Sequence, residues 1–125
     1  MTYIIRGNPI TKKNSQRIVA LNGHPAIIPS KQYKRYAKSA EWQLSMHRPD
    51  NPINTPVNVA CVYYMQTRRR VDLINLLEAT MDILVDARIL EDDNANIAVS
   101  HDGSRVRYDK EDPRVEIMIN KMEEM

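Results

Sequence analysis

Arg68, Arg69 and Arg70 stand two residues before Asp72, with Asn75 and Glu78 just beyond it, and a second acidic run, Glu91, Asp92, Asp93 and Asn94, follows later. Clustered guanidinium groups hold phosphate oxygens through charge-assisted, often bidentate hydrogen bonds. Clustered carboxylates gather hard, oxygen-preferring ions such as Mg²⁺. Together these residue types suit a site that grips a phosphodiester and hydrolyses it. A bound ion would acidify a water, which attacks phosphorus in line with the departing 3′ oxygen and leaves 5′-phosphate and 3′-hydroxyl ends.

The elements that must position these groups follow from pattern. Val57 to Met65 is rich in β-branched and aromatic residues and predicts a central strand ending just before the arginines. A helix is expected over 72–87. On its wheel Asp72, Asn75, Glu78, Asp82 and Asp86 share one face, while Leu73, Ile74, Leu77, Met81, Leu84 and Val85 occupy the opposing arc. Asp82 and Asp86 read as a solvated acidic face, with Asp82 open to pairing with an arginine. Asp72 either caps the helix or projects its carboxylate at a strand–helix junction. Carboxylates from before and after this helix are expected to meet in one pocket bordered by the arginines.

The rest of the chain reads as scaffold. Thr2 to Arg6 predicts a strand. Arg17–Leu21 and Pro25–Ile28 flank the turn pair Asn22-Gly23, and Ile97–Ser100 and Ser104–Tyr108 flank His101-Asp102-Gly103; both read as hairpins. Ser30 should cap a helix over 31–47 that Pro49 ends, with Tyr33, Tyr36, Ala37, Ala40 and Leu44 facing the core and Trp42 partly exposed. Arg114 to Ile119 alternates and predicts a last strand, with a frayed tail after it. The expected architecture is a single α+β domain over 1–125, a mixed or antiparallel sheet packed with two principal helices.

Composition narrows the function classes. The chain has 125 residues, enough for one core, and no apolar run long enough to span a membrane. Basic residues interrupt the early apolar stretch, which argues against a signal peptide. The single cysteine, Cys61, sits in the strand pattern as a core thiol, and a reducing cytoplasm fits. The net charge of +2 hides an asymmetry, because residues 1–48 carry nine Lys and Arg against the single acid Glu41. A basic front half suggests an anionic partner, so Lys12, Lys13 and Asn14 join the arginines as candidate phosphate contacts. Ser100, His101, Asp102 and Ser104 sit too close together in a turn to form a catalytic triad. His24 and His47 lack zinc-ligand spacing.

The ordered set of Arg-Arg-Arg, Asp72, Asn75-Leu76-Leu77, helix and Glu91-Asp92-Asp93 resembles the RusA family of Holliday junction resolvases. Residues 57–100 carry most of the likeness, and Pro9-Ile10-Thr11-Lys12-Lys13-Asn14-Ser15 echoes the family's N-terminal loop. The resemblance implies a homodimeric, Mg²⁺-dependent endonuclease (with Mn²⁺ as a substitute ion) that cuts paired strands at four-way DNA junctions. It implies that Asp72 and Asp93 are catalytic metal ligands with Asp92 beside them, and that Asn75, Arg68, Arg69 and Arg70 contact DNA. Two positions depart: Ile74 stands where the family has a second aspartate, and Glu78 where a lysine is common. Positions 74 and 78 are one helical turn apart, so Glu78 is expected to supply the missing carboxylate. The alternative is a branched-DNA or protein-binding module with weak cleavage or none.

Overall fold

The computed structural model describes residues 1–12, 16–21 and 23–122, and over 16–21 and 25–29 the backbone alone. Lys13, Asn14 and the turn residue Asn22 lie outside the described residues. The elements run β1 (Thr2–Arg6), β2 (Gln16–Leu21), β3 (His24–Pro29), α1 (Lys31–Ser45), β4 (Val57–Met65), α2 (Leu73–Asp86), β5 (Ala98–Ser100), β6 (Arg105–Tyr108) and β7 (Arg114–Lys121). The fold is α+β, with two helices and a mixed sheet of five strands. β7 lies antiparallel between β1 and β4. β2 and β3 form the expected hairpin as a separate ribbon, with Gly23 at φ 78° supplying the positive angle that its turn demands.

The second expected hairpin does not form. His101, Asp102 and Gly103 do turn, with Ser104 N–H donating to the His101 carbonyl at 3.1 Å. Its two arms, however, lie in line along one edge of β4, both parallel to it: β5 opposite Val57 and Asn58, β6 opposite Val62 to Met65. The reason is a polar side chain near the start of β4. Asn58 Oδ1 accepts from Ser100 Oγ at 2.6 Å and from Asp102 N at 2.8 Å, and its Nδ2 donates to the Asp102 carbonyl at 3.0 Å. Cys61 N donates to Ser104 Oγ at 3.0 Å, and His101 Nδ1 lies 2.9 Å from the Val59 carbonyl oxygen. The loop therefore satisfies the edge of β4 rather than itself. These bonds also account for Ser100, His101, Asp102 and Ser104, which brace a turn.

Strand alternation sets the core. Tyr3 and Ile5 of β1, Val57, Val59, Cys61 and Tyr63 of β4, and Val115, Ile117 and Ile119 of β7 turn to one face and share a buried cluster with Ala40, Leu44, Leu76, Ile83 and Leu84 of the helices. Ile4 and Met118 on the opposite face stay exposed. Ser30 caps α1 by accepting from Tyr33 N at 3.1 Å, and Trp42 is exposed, both as the pattern predicts. Burial pushes the Cys61 thiol up to about 12, so it stays protonated and serves as packing.

One buried polar contact fixes α2 on β4. Tyr63 and Thr80 hydroxyls meet at 2.7 Å inside the core. Removing one partner strands the other where water cannot reach. Thr80→Val should lower unfolding free energy by about 1–3 kcal/mol, and adding Tyr63→Phe should recover part of that loss. Urea denaturation of the two singles and the double checks this; a fully additive double would show that the two hydroxyls are not coupled.

Candidate active site

The carboxyl end of β4 delivers the arginines. The chain leaves the strand after Met65, and Gln66 N–H donates to Asn8 Oδ1 at 2.9 Å, which tucks the loop after β1 beside this exit. Arg68, Arg69 and Arg70 follow, all exposed. Asp72 is the N-cap of α2, in extended conformation, its Oδ1 accepting from Ile74 N at 2.9 Å. Both readings of Asp72 therefore coexist: it caps the helix, and it stands exposed at a strand–helix junction. Arg69, with Met65 and Thr67, lines two clefts. One of about 210 Å³ lies against Asn8, Thr11, Gln32 and Arg70. The other, about 240 Å³, lies against Arg68, Val106, Arg107 and Tyr108.

The far end of α2 delivers the second acidic run. Arg88 takes a left-handed conformation (φ 63°) just past the helix and redirects the chain. Ile53 then bridges it in parallel at Leu90, donating to the Ile89 carbonyl and accepting from Glu91 N, both at 2.9 Å. Beyond that clamp the neighbouring aspartates diverge in role. Asp92 turns inward on its own loop, accepting from Asp93 N at 2.7 Å and Asn94 Nδ2 at 3.1 Å. The hydrogen bond from the Asp93 backbone, then that from Asn94, hold its carboxyl below the usual range. Asp93 instead lines a cavity of about 270 Å³ with Lys12, Asp82, Val85 and Asp86. Partial desolvation first, then the adjacent Asp92, raise its carboxyl above the usual value. Lys12 Nζ sits 3.2 Å from Asp82 Oδ2 in this cavity. Tyr33 borders the same acidic face, and burial followed by the charges of Asp82 and Asp86 pushes its phenol up to about 12.

One chain does not bring the two acidic regions together. Asp72 and Asp82 are ten residues apart on one helix, about 15 Å along its axis, and Asp93 lies beside Asp82. Among the described residues, no three His, Cys, Asp or Glu side chains form a cage for a metal ion. The expected pocket uniting Asp72, Glu78, Asp92 and Asp93 is thus absent from a single chain, because the helix between them is a rigid spacer. The described residues of the chain therefore do not bring Asp72 and Asp93 onto one ion.

A family model described as endodeoxyribonuclease RusA matches residues 6–120. The chain belongs to the RusA endodeoxyribonuclease family. No curated protein matches it. Membership in the RusA family makes the clustered arginines and carboxylates the features to explain, and the fold is consistent with that domain. No helix among the described residues is long and apolar enough to cross a membrane.

Seen as a RusA chain, the departures at 74 and 78 are surface features. Ile74 is 72% exposed in the first turn of α2, so it is not a core residue. Glu78 is exposed one turn on, and Asn75 is half-buried between them. The structure also brings forward residues that the sequence left in the background. Asp82 and Asp86, read as a solvated face, wall the Asp93 cavity; the successive spacing of four from Glu78 to Asp82 to Asp86 was the available signal. Lys12, expected to grip phosphate, is engaged with Asp82. Tyr108 lies against Arg68, which only the parallel register of β6 reveals. Because Asp72 caps α2, its charge and its capping can be separated by substitution. Asp72→Ala should lose about 1 kcal/mol of stability, whereas Asp72→Asn, which still caps, should stay close to wild type. Thermal melts of the two variants decide this.

Proposed function

We propose that this chain is a single-domain, Mg²⁺-dependent, structure-selective endonuclease that resolves four-way DNA junctions by paired nicking, as a homodimer, in recombination and repair. Three exposed arginines running straight into an exposed aspartate at one strand–helix junction, in a chain of the RusA endodeoxyribonuclease family, carry this reading. The arginines supply phosphate contacts, which position DNA without reading its sequence. Selection then rests on branched shape.

The separation of Asp72 from Asp93 supports the homodimer. In a two-fold pair, any residue of one copy that faces a second residue of the other does so twice. Two copies with their α2 helices antiparallel across the axis would set Asp72 of one beside Asp93 of the other at both ends. The pair would then hold two equivalent centres, one for each strand to be cut. Asp72 and Asp93 are the proposed ligands for Mg²⁺ or Mn²⁺. Asp92 is proposed at their side, and Glu78 as the carboxylate that Ile74 lacks.

Incubating the protein with a labelled four-way junction should give cutting only when Mg²⁺ or Mn²⁺ is present, with Asp72→Asn and Asp93→Asn each inactive. Mixing those two variants and allowing subunits to exchange should restore nicking of one strand, because one of the two shared centres is then intact. A mixture that stays dead while both variants fold and bind the junction would place the whole site within one chain. Glu78→Gln should abolish cutting without loss of junction affinity; normal cutting by that variant would remove Glu78 from the site. The exposed Ile74 favours a second reading, a junction-binding protein that does not cleave. Retention of the junction by wild type without metal-dependent cutting would establish that one instead.

A further inference from the structure

We propose that the cleft between the ends of β4 and β6 receives an unstacked nucleobase of branched DNA, with the Arg68–Tyr108 pair as its stacking platform. This rests on the DNA-junction reading above and adds a site that phosphate contacts alone do not require.

The Arg68 guanidinium lies over the Tyr108 ring, 4.4 Å from its centroid. The adjoining cleft, about 240 Å³, is lined by Arg68, Arg69, Arg107 and Tyr108 with Met65, Thr67 and Val106. Apolar carbons, an aromatic ring and three guanidinium groups line it, and no carboxylate does. Pockets for drug-sized ligands run to about 300–1,000 Å³, so this cleft suits one planar ring system with an attached phosphate. Arginines would suffice for backbone contacts. A 40% exposed tyrosine held in their midst adds a flat π-face, the surface on which unpaired bases stack.

The platform is rigid and reachable. Tyr108 pairs with Met65 in the parallel ladder, and Asp109 N–H donates to the Met65 carbonyl at 2.9 Å. β6 is exposed along its whole length, so nothing among the described residues shields the cleft from a large polyanion. In linear duplex every base is already stacked between neighbours and cannot enter. At a four-way branch point, bases that lose a neighbour are free to swing out. The cleft therefore favours branched over linear DNA by a means separate from overall charge.

The test measures equilibrium binding without divalent metal, to a four-way junction, to the same junction with abasic sites at the branch point, and to linear duplex. Loss of one stacked base weakens binding by about five-fold to a hundred-fold. Tyr108→Leu should lose that much on the intact junction and little on duplex, while Tyr108→Phe should bind like wild type. Abasic sites should weaken wild type by a similar factor and leave Tyr108→Leu unchanged. Equal affinity of correctly folded Tyr108→Leu for the intact junction would overturn the proposal. So would an equal loss on junction and duplex, which would make Tyr108 a mere support for Arg68. A second arm uses a short single strand carrying 2-aminopurine. Quenching by wild type but not by Tyr108→Leu sustains the stacking site even if wild type shows no preference for junctions, in which case only the junction reading fails. Absence of quenching with wild type on both the single strand and a 2-aminopurine junction overturns the stacking site itself.

Discussion

α2 holds fourteen residues with a cap at each end, and its backbone hydrogen bonds make it a rod about 21 Å long. Whatever chemistry the chain performs must be compatible with that length. The arginines and Asp72 are fixed at one end; Asp93, Asp82 and Asp86 are fixed near the other. Bending the rod would break backbone bonds in a core where Leu76, Ile83 and Leu84 are fully buried. The electrostatics point the same way along the axis. The amino end carries the positive pole of the helix and the three arginines, both attractive to phosphate. The carboxyl end carries the negative pole and three carboxylates, an arrangement that calls for a cation. Lys12 answers that call in part, through Asp82. Asp93 stands in the same cavity, its carboxyl raised first by partial desolvation and then by the neighbouring Asp92.

Much of this frame was legible in the sequence because it depends on local rules. Ser30 and Asp72 cap helices because a short side-chain oxygen can reach an orphan amide. The apolar stripe of α1 and the alternation of β7 bury as their periods require. What the sequence concealed depends on contacts between distant segments. The His101-Asp102-Gly103 signal correctly announced a turn but not what its arms would pair with. Short arms of three and four residues offer each other few hydrogen bonds, and an asparagine forty-two residues earlier offered better ones. Lys12 was legible as a cation; its engagement with Asp82, seventy residues away, was not. The convergence of Asp72 and Asp93 failed for a simpler reason. The expectation set carboxylates before and after the helix in one pocket, but fourteen helical residues lie between Asp72 and the loop that carries Asp93.

The departures at 74 and 78 fit this polarised helix. An acid at 74 would stand in the first turn, near the arginines, and a lysine at 78 would sit near the middle of the acidic face. With isoleucine and glutamate there, negative charge moves from the first turn toward the centre of the rod. The acidic face of Glu78, Asp82 and Asp86 then becomes continuous at a spacing of four. Like charges so spaced repel, and each added acid raises the demand of this face for a counterion.

The register of β6 ties the scaffold to the face that carries the arginines. Side chains alternate across a strand, so a slip of one residue would send Tyr108 to the opposite side of the sheet, away from Arg68. A strand of four residues on an open edge has little of its own to prevent such a slip. The restraint comes from outside it: Asn58 clamps the turn ahead of β6, Ser104 accepts from the backbone of Cys61 at its start, and Asp109 returns to Met65 at its end. Asn58 is a polar residue near the start of a central strand, a position that a β-branched residue would otherwise fill. α2 is the crossover that returns the chain parallel to β4, and the Asn58 amide then pins the turn between the two short edge strands. The placement of an aromatic ring beside the arginines thus depends in part on the opposite end of β4, on a side chain that touches neither.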